Sequence, residues 1–305
     1  MYSEDRRVVV TGLGAITPIG NTAEEFWRGL LAGTSGIDYI RSFDTSDLPV
    51  KIAGEVKGLD LDSYLDPKAA RRMGRFARFS VAVAKQALAD SGYVIDESNA
   101  ENVAVVMATG GGGLDVMQDA VESISARGPR SLGPMVLPGI IANMASCQVS
   151  IALGTQGPTA TGVAACASGI FSFIDAYHYI KRGEADMAIA GGSDSYITPL
   201  AIASLANMQA LSRNQERAPQ EVSRPFDATR DGFVYSEGAA CAVLETAESA
   251  VARGAKIYAE VMGGAITADA YHVTAPAPGG AGAARAIERA LKFAGLTPED
   301  VDYIA

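Results

Sequence analysis

Val103-Ala-Val-Val-Met-Ala108 carries no polar side chain and runs straight into Thr109 and four consecutive glycines, Gly110–Gly113. So short an apolar run, stopped by glycine, reads as a strand covered on both faces, as in a parallel sheet between helix layers. The same punctuation recurs along the chain. Val8–Val10 leads into Thr-Gly-Leu-Gly-Ala-Ile-Thr-Pro, which reads as a strand ending in a Gly-rich turn. Asp186–Ala190 is closed by Gly191-Gly192, and Gly238–Leu244 and Ile257–Val261 bracket a helix over Ala247–Arg253. Asn21 or Thr22 caps an earlier helix with Glu24 and Glu25 in its first turn and Trp27, Leu30 and Leu31 on one face. Pro67 opens another that runs through Leu88 to a stop at Ser91-Gly92. This alternation defines an α/β chain with a mainly parallel sheet.

Gly14-Ala-Ile-Thr17 returns as Gly264-Ala-Ile-Thr267, each time after an apolar strand and before an amphipathic helix. The echo suggests two related halves, divided here as residues 1–255 and 256–305. The second half reaches only the opening of a new strand at Val301–Ile304, so the chain reads as a fragment whose second half is incomplete.

The formal net charge of −10 excludes nucleic acid as the main partner, since phosphate binding requires a basic footprint. No apolar run approaches the roughly 20 residues of a membrane helix, and the first residues lack a signal-type stretch. Three widely spaced cysteines form neither a disulfide framework nor a metal spacing. A cytoplasmic location is expected.

Cys166 lies in Gly162-Val-Ala-Ala-Cys-Ala-Ser-Gly169, between an apolar strand and a helix. A thiol at a helix N-terminus suits a nucleophile, and small neighbours let a substrate carbonyl approach. A buried packing cysteine is the competing reading. Gly110–Gly113 lacks the Gly-Lys-Ser/Thr of a phosphate loop and the spacing of a dinucleotide fingerprint, and reads as a tight strand-to-helix turn. Asp227, Arg230, Asp231 and Glu237 read as an ion-pair and turn network. Cys147 and Cys241 read as packing residues.

Ala-Ala-Cys-Ala-Ser-Gly resembles the nucleophile elbow of elongating β-ketoacyl-[acyl-carrier-protein] synthases, members of the thiolase superfamily. The opening Val-Val-Thr-Gly-Leu-Gly-Ala-Ile-Thr-Pro-Ile-Gly, Gly191-Gly-Ser-Asp194, Ser223-Arg-Pro-Phe-Asp227 with Arg230-Asp-Gly-Phe233 and Glu237-Gly-Ala239, and Asp269-Ala-Tyr-His-Val-Thr-Ala-Pro276 resemble further family segments in family order. The resemblance implies a five-layer α-β-α-β-α fold of two duplicated halves and a homodimer whose sheets meet at the interface. It implies no cofactor and no metal.

It also implies a chemistry. Cys166 would take an acyl chain from an acyl carrier protein, and a malonyl thioester would then lose CO₂ and attack the acyl-cysteine. The two histidines the family uses on the malonyl thioester fall after Ile304, so residues 1–305 carry the acylation site without the condensation pair. His272 and Thr274 fall in the segment that lines the substrate channel in relatives. Thr274 reads equally well as satisfying its own turn before Pro276, and His178 matches no catalytic position. Lys68, Arg71, Arg72, Arg75 and Arg78 form a basic run at helical spacing. Such a run is commonly a solvated face; the resemblance assigns Lys68, Arg71, Arg72 and Arg75 to docking of an acidic carrier protein. The leading expectation is a condensing acyltransferase of fatty-acid elongation. A polyketide ketosynthase, or a non-condensing partner subunit, stands as the alternative.

Overall fold

The computed structural model describes residues 6–305; residues 1–5, read above for a signal stretch, lie outside them. In chain order the elements are β1 (Val8–Ile16), α1 (Ala23–Leu31), β2 (Asp38–Tyr39), β3 (Ile52–Ala53), α2 (Pro67–Ala70), α3 (Arg75–Ser91) and β4 (Val103–Ala108). There follow α4 (Leu114–Arg127), α5 (Val136–Ile140), α6 (Met144–Leu153), β5 (Thr159–Ala160), α7 (Ser168–Lys181), β6 (Met187–Asp194) and α8 (Pro199–Asn207). The chain closes through β7 (Gly238–Thr246), α9 (Ala247–Ala252), β8 (Ala259–Val261) and α10 (Ala281–Ala294).

Six strands form one sheet in the order β5-β4-β6-β7-β1-β8. Its two faces are sorted by the alternation of side chains along each strand. On β4, Val103, Val105 and Met107 join Phe76, Phe79 and Val83 of α3, while Ala104 and Val106 join Ala176 and Ile180 of α7. All six residues of β4 are buried, as a strand with helices on both faces requires. α3 is buried around most of its circumference, because α6 covers it from outside. These α-β-α layers belong to the thiolase-like fold. A satellite cluster of Ile40, Val50, Ile52, Ile202 and Leu211 ties the β2–β3 hairpin to α8.

Three sequence expectations are corrected. The sheet is mixed: β4 pairs in parallel with β5 and β6, whereas β7 is antiparallel to both β6 and β1, and β8 is antiparallel to β1. The glycines after Val10 form no turn, since β1 continues through them to Ile16 with a bulge at Thr11. A Cβ on Gly12 or Gly14 would stand 2.1 Å from the carbonyl oxygen of Ala87 or Val83, so these glycines let α3 lie directly on the strand. The helix expected from Pro67 to Ser91 is two helices, broken over Arg71–Gly74.

Other boundaries agree with the reading. Thr22 caps α1 by accepting the Glu25 N–H, and Gly92 ends α3 in the left-handed conformation at φ 64°. The repeated Gly-Ala-Ile-Thr closes β1 in its first copy and follows β8 without joining a strand in its second. Each of the two lead glycines abuts a helix: Gly14 meets α3 and Gly264 meets Ile174 of α7. Among the described residues no helix is long and apolar enough to cross a membrane.

Candidate active site

The cysteine segment folds as a sharp elbow. Ala165 holds φ at +47°, a region a residue with a Cβ enters at a cost of about 1–3 kcal/mol. A 3₁₀ turn over Ala165–Ala167 then feeds α7. Ser168 locks the elbow: its hydroxyl accepts the Ala164 N–H at 2.9 Å and donates to the Ala165 carbonyl at 2.6 Å. Cys166 is left exposed at the positive end of the α7 dipole, on an open cleft of about 610 Å³. The cleft is walled by Ile16, Thr17, Pro18, Phe26, Ala108, Gly169, Ile170, Phe173, Gly192 and Gly238–Ala240. Small and apolar groups dominate, which suits an acyl chain and leaves room for a carbonyl beside the sulfur. The packing reading holds instead for Cys241, fully buried in β7 with its thiol pushed up by that burial. Cys147 is half-buried on α6.

Polar groups gather at one end of the cleft. Asp194, at the end of β6, receives the Thr109 hydroxyl at 2.7 Å and the N–H groups of Gly110 (3.0 Å) and Gly111 (3.2 Å). The glycine turn therefore holds an anion, but that anion is the protein's own carboxylate. Tyr196 and Tyr235 meet close by at a tilt of 52°, with ring centroids 5.5 Å apart. Burial, with their mutual hydrogen bond, pushes the Tyr235 hydroxyl far above its ordinary range, and burial raises Tyr196 as well. Both phenols thus stay protonated beside Cys166.

Glu237 lines the same cleft although only 8% of it is exposed. Burial alone would raise its carboxyl. Bidentate bonds from Arg75 (3.0 and 2.9 Å), the Ser195 hydroxyl and the Val56 N–H outweigh that and hold it below the usual carboxylate range. Asp227, Arg230 and Asp231 serve turns and ion pairs: Asp227 caps Thr229, Arg230 bonds the Asp227 carbonyl, and Asp231 pairs with Arg224 and Ser212.

The remaining candidates are dispersed. His272 and Thr274 are exposed and do not line the Cys166 cleft; the His272 Nδ1 accepts the N–H groups of Thr274 (3.2 Å) and Ala275 (3.1 Å). Lys68, Arg71 and Arg72 are exposed, whereas Arg75 turns inward to Glu237 and lies 4.6 Å from the centroid of the Phe79 ring. The break over Arg71–Gly74 therefore takes Arg75 off the face expected for it. His178 lies mid-α7 edge-on to Tyr177 and Phe293, its pKa lowered by burial first and Arg182 second. Among the described residues no group of three or more His, Cys, Asp or Glu side chains is placed to hold a metal ion.

Sequence reasoning quoted Asp194 only as the end of a family-like segment, with no role, and passed over Tyr196 and Tyr235. The available signal was position, since Asp194 closes a buried strand and sites of α/β sheets gather beyond such ends.

Residues 5–250 match the family described as beta-ketoacyl synthase, N-terminal domain, and residues 258–305 match its C-terminal domain. The chain belongs to the β-ketoacyl synthase family. It is 50% identical over 302 residues to a 3-oxoacyl-[acyl-carrier-protein] synthase 2 of Synechocystis sp., covering 99% of this chain and 72% of that one. Among solved structures, the ishigamide ketosynthase/chain length factor superposes with TM-score 0.90 at 35% identity, covering 99% of this synthase and 73% of the other. A type II PKS acyl-carrier protein in complex with its ketosynthase, bound to the hexaketide, superposes with TM-score 0.88 at 28% identity, covering 99% and 73%.

Proposed function

We propose that this synthase moves an acyl chain from a carrier-protein thioester onto Cys166 and condenses it with a malonyl-carrier-protein thioester in fatty-acid elongation. The observation that carries this is the exposed Cys166 sulfur on a strained elbow, at a helix N-terminus, facing an open apolar cleft. The Cys166 sulfur adds to the thioester carbonyl, the carrier C–S bond breaks, and the Cys166 S–H proton passes to the departing carrier sulfur as the acyl-cysteine forms. A malonyl thioester next loses CO₂, leaving the carbon–carbon bonding pair as an enolate. Its α-carbon attacks the acyl-cysteine carbonyl, and the Cys166 sulfur leaves with the electrons of the broken bond. Both steps build negative charge on oxygen, which directed N–H donors and a helix dipole stabilise.

Fatty-acid elongation is favoured over polyketide synthesis by 50% identity to a 3-oxoacyl-[acyl-carrier-protein] synthase 2 against 35% to the ishigamide ketosynthase. The carrier-bound ketosynthase relative supports an acyl carrier protein as partner, and exposed Lys68, Arg71 and Arg72 give an acidic carrier a landing surface. We take the division of the chain as 1–255 and 256–305, and keep His272 and Thr274 as substrate-channel residues on the family resemblance alone, since both stand outside the wall of the Cys166 cleft. The active form is proposed as a homodimer joined along the β5 edge, where strands of two sheets can meet; sedimentation at twice the monomer mass tests this.

The central test is acyl labelling of the full chain with a radiolabelled acyl thioester. Cys166→Ala should leave no protein-bound label. Undiminished label in that variant ends the nucleophile assignment.

A further inference from the structure

We infer that Asp194 is a positioning residue for Cys166, acting through the glycine turn that it ties down. The inference rests on Cys166 being the nucleophile. Asp194 ends β6, and the turn after β4 folds over its carboxylate. One oxygen takes the Thr109 hydroxyl and the Gly111 N–H, and both oxygens receive the Gly110 N–H at 3.0 Å. Thr109 in turn accepts the Gly112 N–H at 2.9 Å, so the first half of the glycine run hangs from one carboxylate.

The other side of that turn meets the elbow. A Cβ built on Gly110 would stand 3.2 Å from the Asp194 carboxylate and 3.5 Å from the Ala165 carbonyl. Gly110 is thus held between the anchor and the residue that carries the strained φ beside Cys166. Gly111 fits against Tyr196 still more closely, a Cβ there falling 2.5 Å from the ring. Neither has a positive φ, so proximity is what favours glycine: a side chain at 111 would overlap the Tyr196 ring, and one at 110 would crowd the Asp194 carboxylate.

The carboxylate and the elbow meet across Gly110, and the turn packs on Tyr196, whose ring lies against Tyr235. Among the described residues no Lys, Arg or His pairs with Asp194; its donors are the Thr109 hydroxyl and the Gly110 and Gly111 N–H groups, so the interaction fixes the geometry of the turn. Without Asp194 those donors lose their acceptor, the turn is free to lift, and the Ala165 carbonyl loses the wall that keeps the elbow in register. The acyl carbonyl approaching Cys166 then meets a misplaced sulfur.

The experiment compares two reactions of Cys166 in the full chain: acyl transfer from an acyl thioester, which demands orientation, and alkylation by iodoacetamide, which does not. In Asp194→Ala, kcat for acyl transfer should fall about a hundredfold with KM little changed, as for a reacting group displaced by about an ångström. Alkylation should stay near the wild-type rate. Thr109→Val, which removes one donor and leaves the carboxylate, should lose less, and its effect should vanish in the Asp194→Ala background. Asp194→Asn, which keeps an acceptor oxygen, should recover part of the rate.

A wild-type acyl-transfer rate in Asp194→Ala overturns the inference, and so does an equal fall in both reactions with no recovery in Asp194→Asn. Loss of label in Cys166→Ala beside an undiminished rate in Asp194→Ala removes the positioning role and leaves the nucleophile standing. Label that survives Cys166→Ala removes both.

Discussion

Arg75 and Glu237 show how one residue type divides between surface and interior. Glu237 is almost fully buried, and Arg75 grips it with two parallel bonds while 38% of the arginine side chain stays exposed. Breaking a pair of this kind from the buried side strands the arginine charge. Glu237→Gln should therefore destabilise the fold by about 2 kcal/mol, less than a fully buried pair because Arg75 is partly solvated. Urea denaturation checks this, and Arg75→Met combined with it should cost less than the two changes added. Nothing in the spacing Lys68, Arg71, Arg72, Arg75 singles out the last of these, because its carboxylate lies 162 residues away. The strand-to-helix setting of Cys166 was legible because its small-residue surroundings are local, while the residues alone left a nucleophile and a packing cysteine both open. Asp194 was not, because the donors it holds stand 83 to 85 residues earlier in the chain.

At the scale of elements, apolar runs translated directly into strands, and cap and stop residues into helix ends. Val103–Ala108 and Thr22 are legible because each is decided by neighbours in sequence. Glycine was the failure. Gly12, Gly14 and Gly191 look like turns on paper but sit inside strands, where a carbonyl of a packed helix or neighbouring strand takes the space of a side chain. Gly14→Ala would push a methyl into the Val83 carbonyl at 2.1 Å, so α3 must move off β1. A loss of about 3 kcal/mol is expected, at the upper end for overpacking, read as a lowered urea midpoint with an unchanged m-value. Gly33→Ala is the control of another kind: its φ is +63°, but nothing lies within 4 Å, so only backbone strain of about 1 kcal/mol opposes it.

Over the whole molecule, two carboxylates set the acid limit. Glu245, 0% exposed, is held below the ordinary range: burial would raise it, and Arg253, Thr11 and Ser249 together overcome that. Glu237 is lowered in the same way. Groups depressed in the fold contribute stability above their unfolded value, about 4.3 for glutamate, and lose it as pH falls through the folded value. Urea midpoints should decline shallowly below about pH 6.5, where His178, depressed by burial, resists the proton that the unfolded chain takes up, and then drop more steeply below about 5, with a smaller steep drop in Glu245→Gln. Charge should act differently on binding. Reversing Arg71 and Arg72 in the full chain is expected to raise KM for carrier-bound acyl substrate far more than for a coenzyme A thioester, and steady-state kinetics with both donors decides it. The mixed sheet also governs how the protein is made. Within the sheet β1 pairs with β7 and β8, and Thr11 must wait for Glu245, 234 residues later. At about 5–20 residues per second, the first strand leaves the ribosome roughly ten to fifty seconds before any partner strand exists. For that interval both its hydrogen-bonding edges are bare, which makes this segment, Val8–Ile16, the natural client for whatever shields nascent chains in the cell.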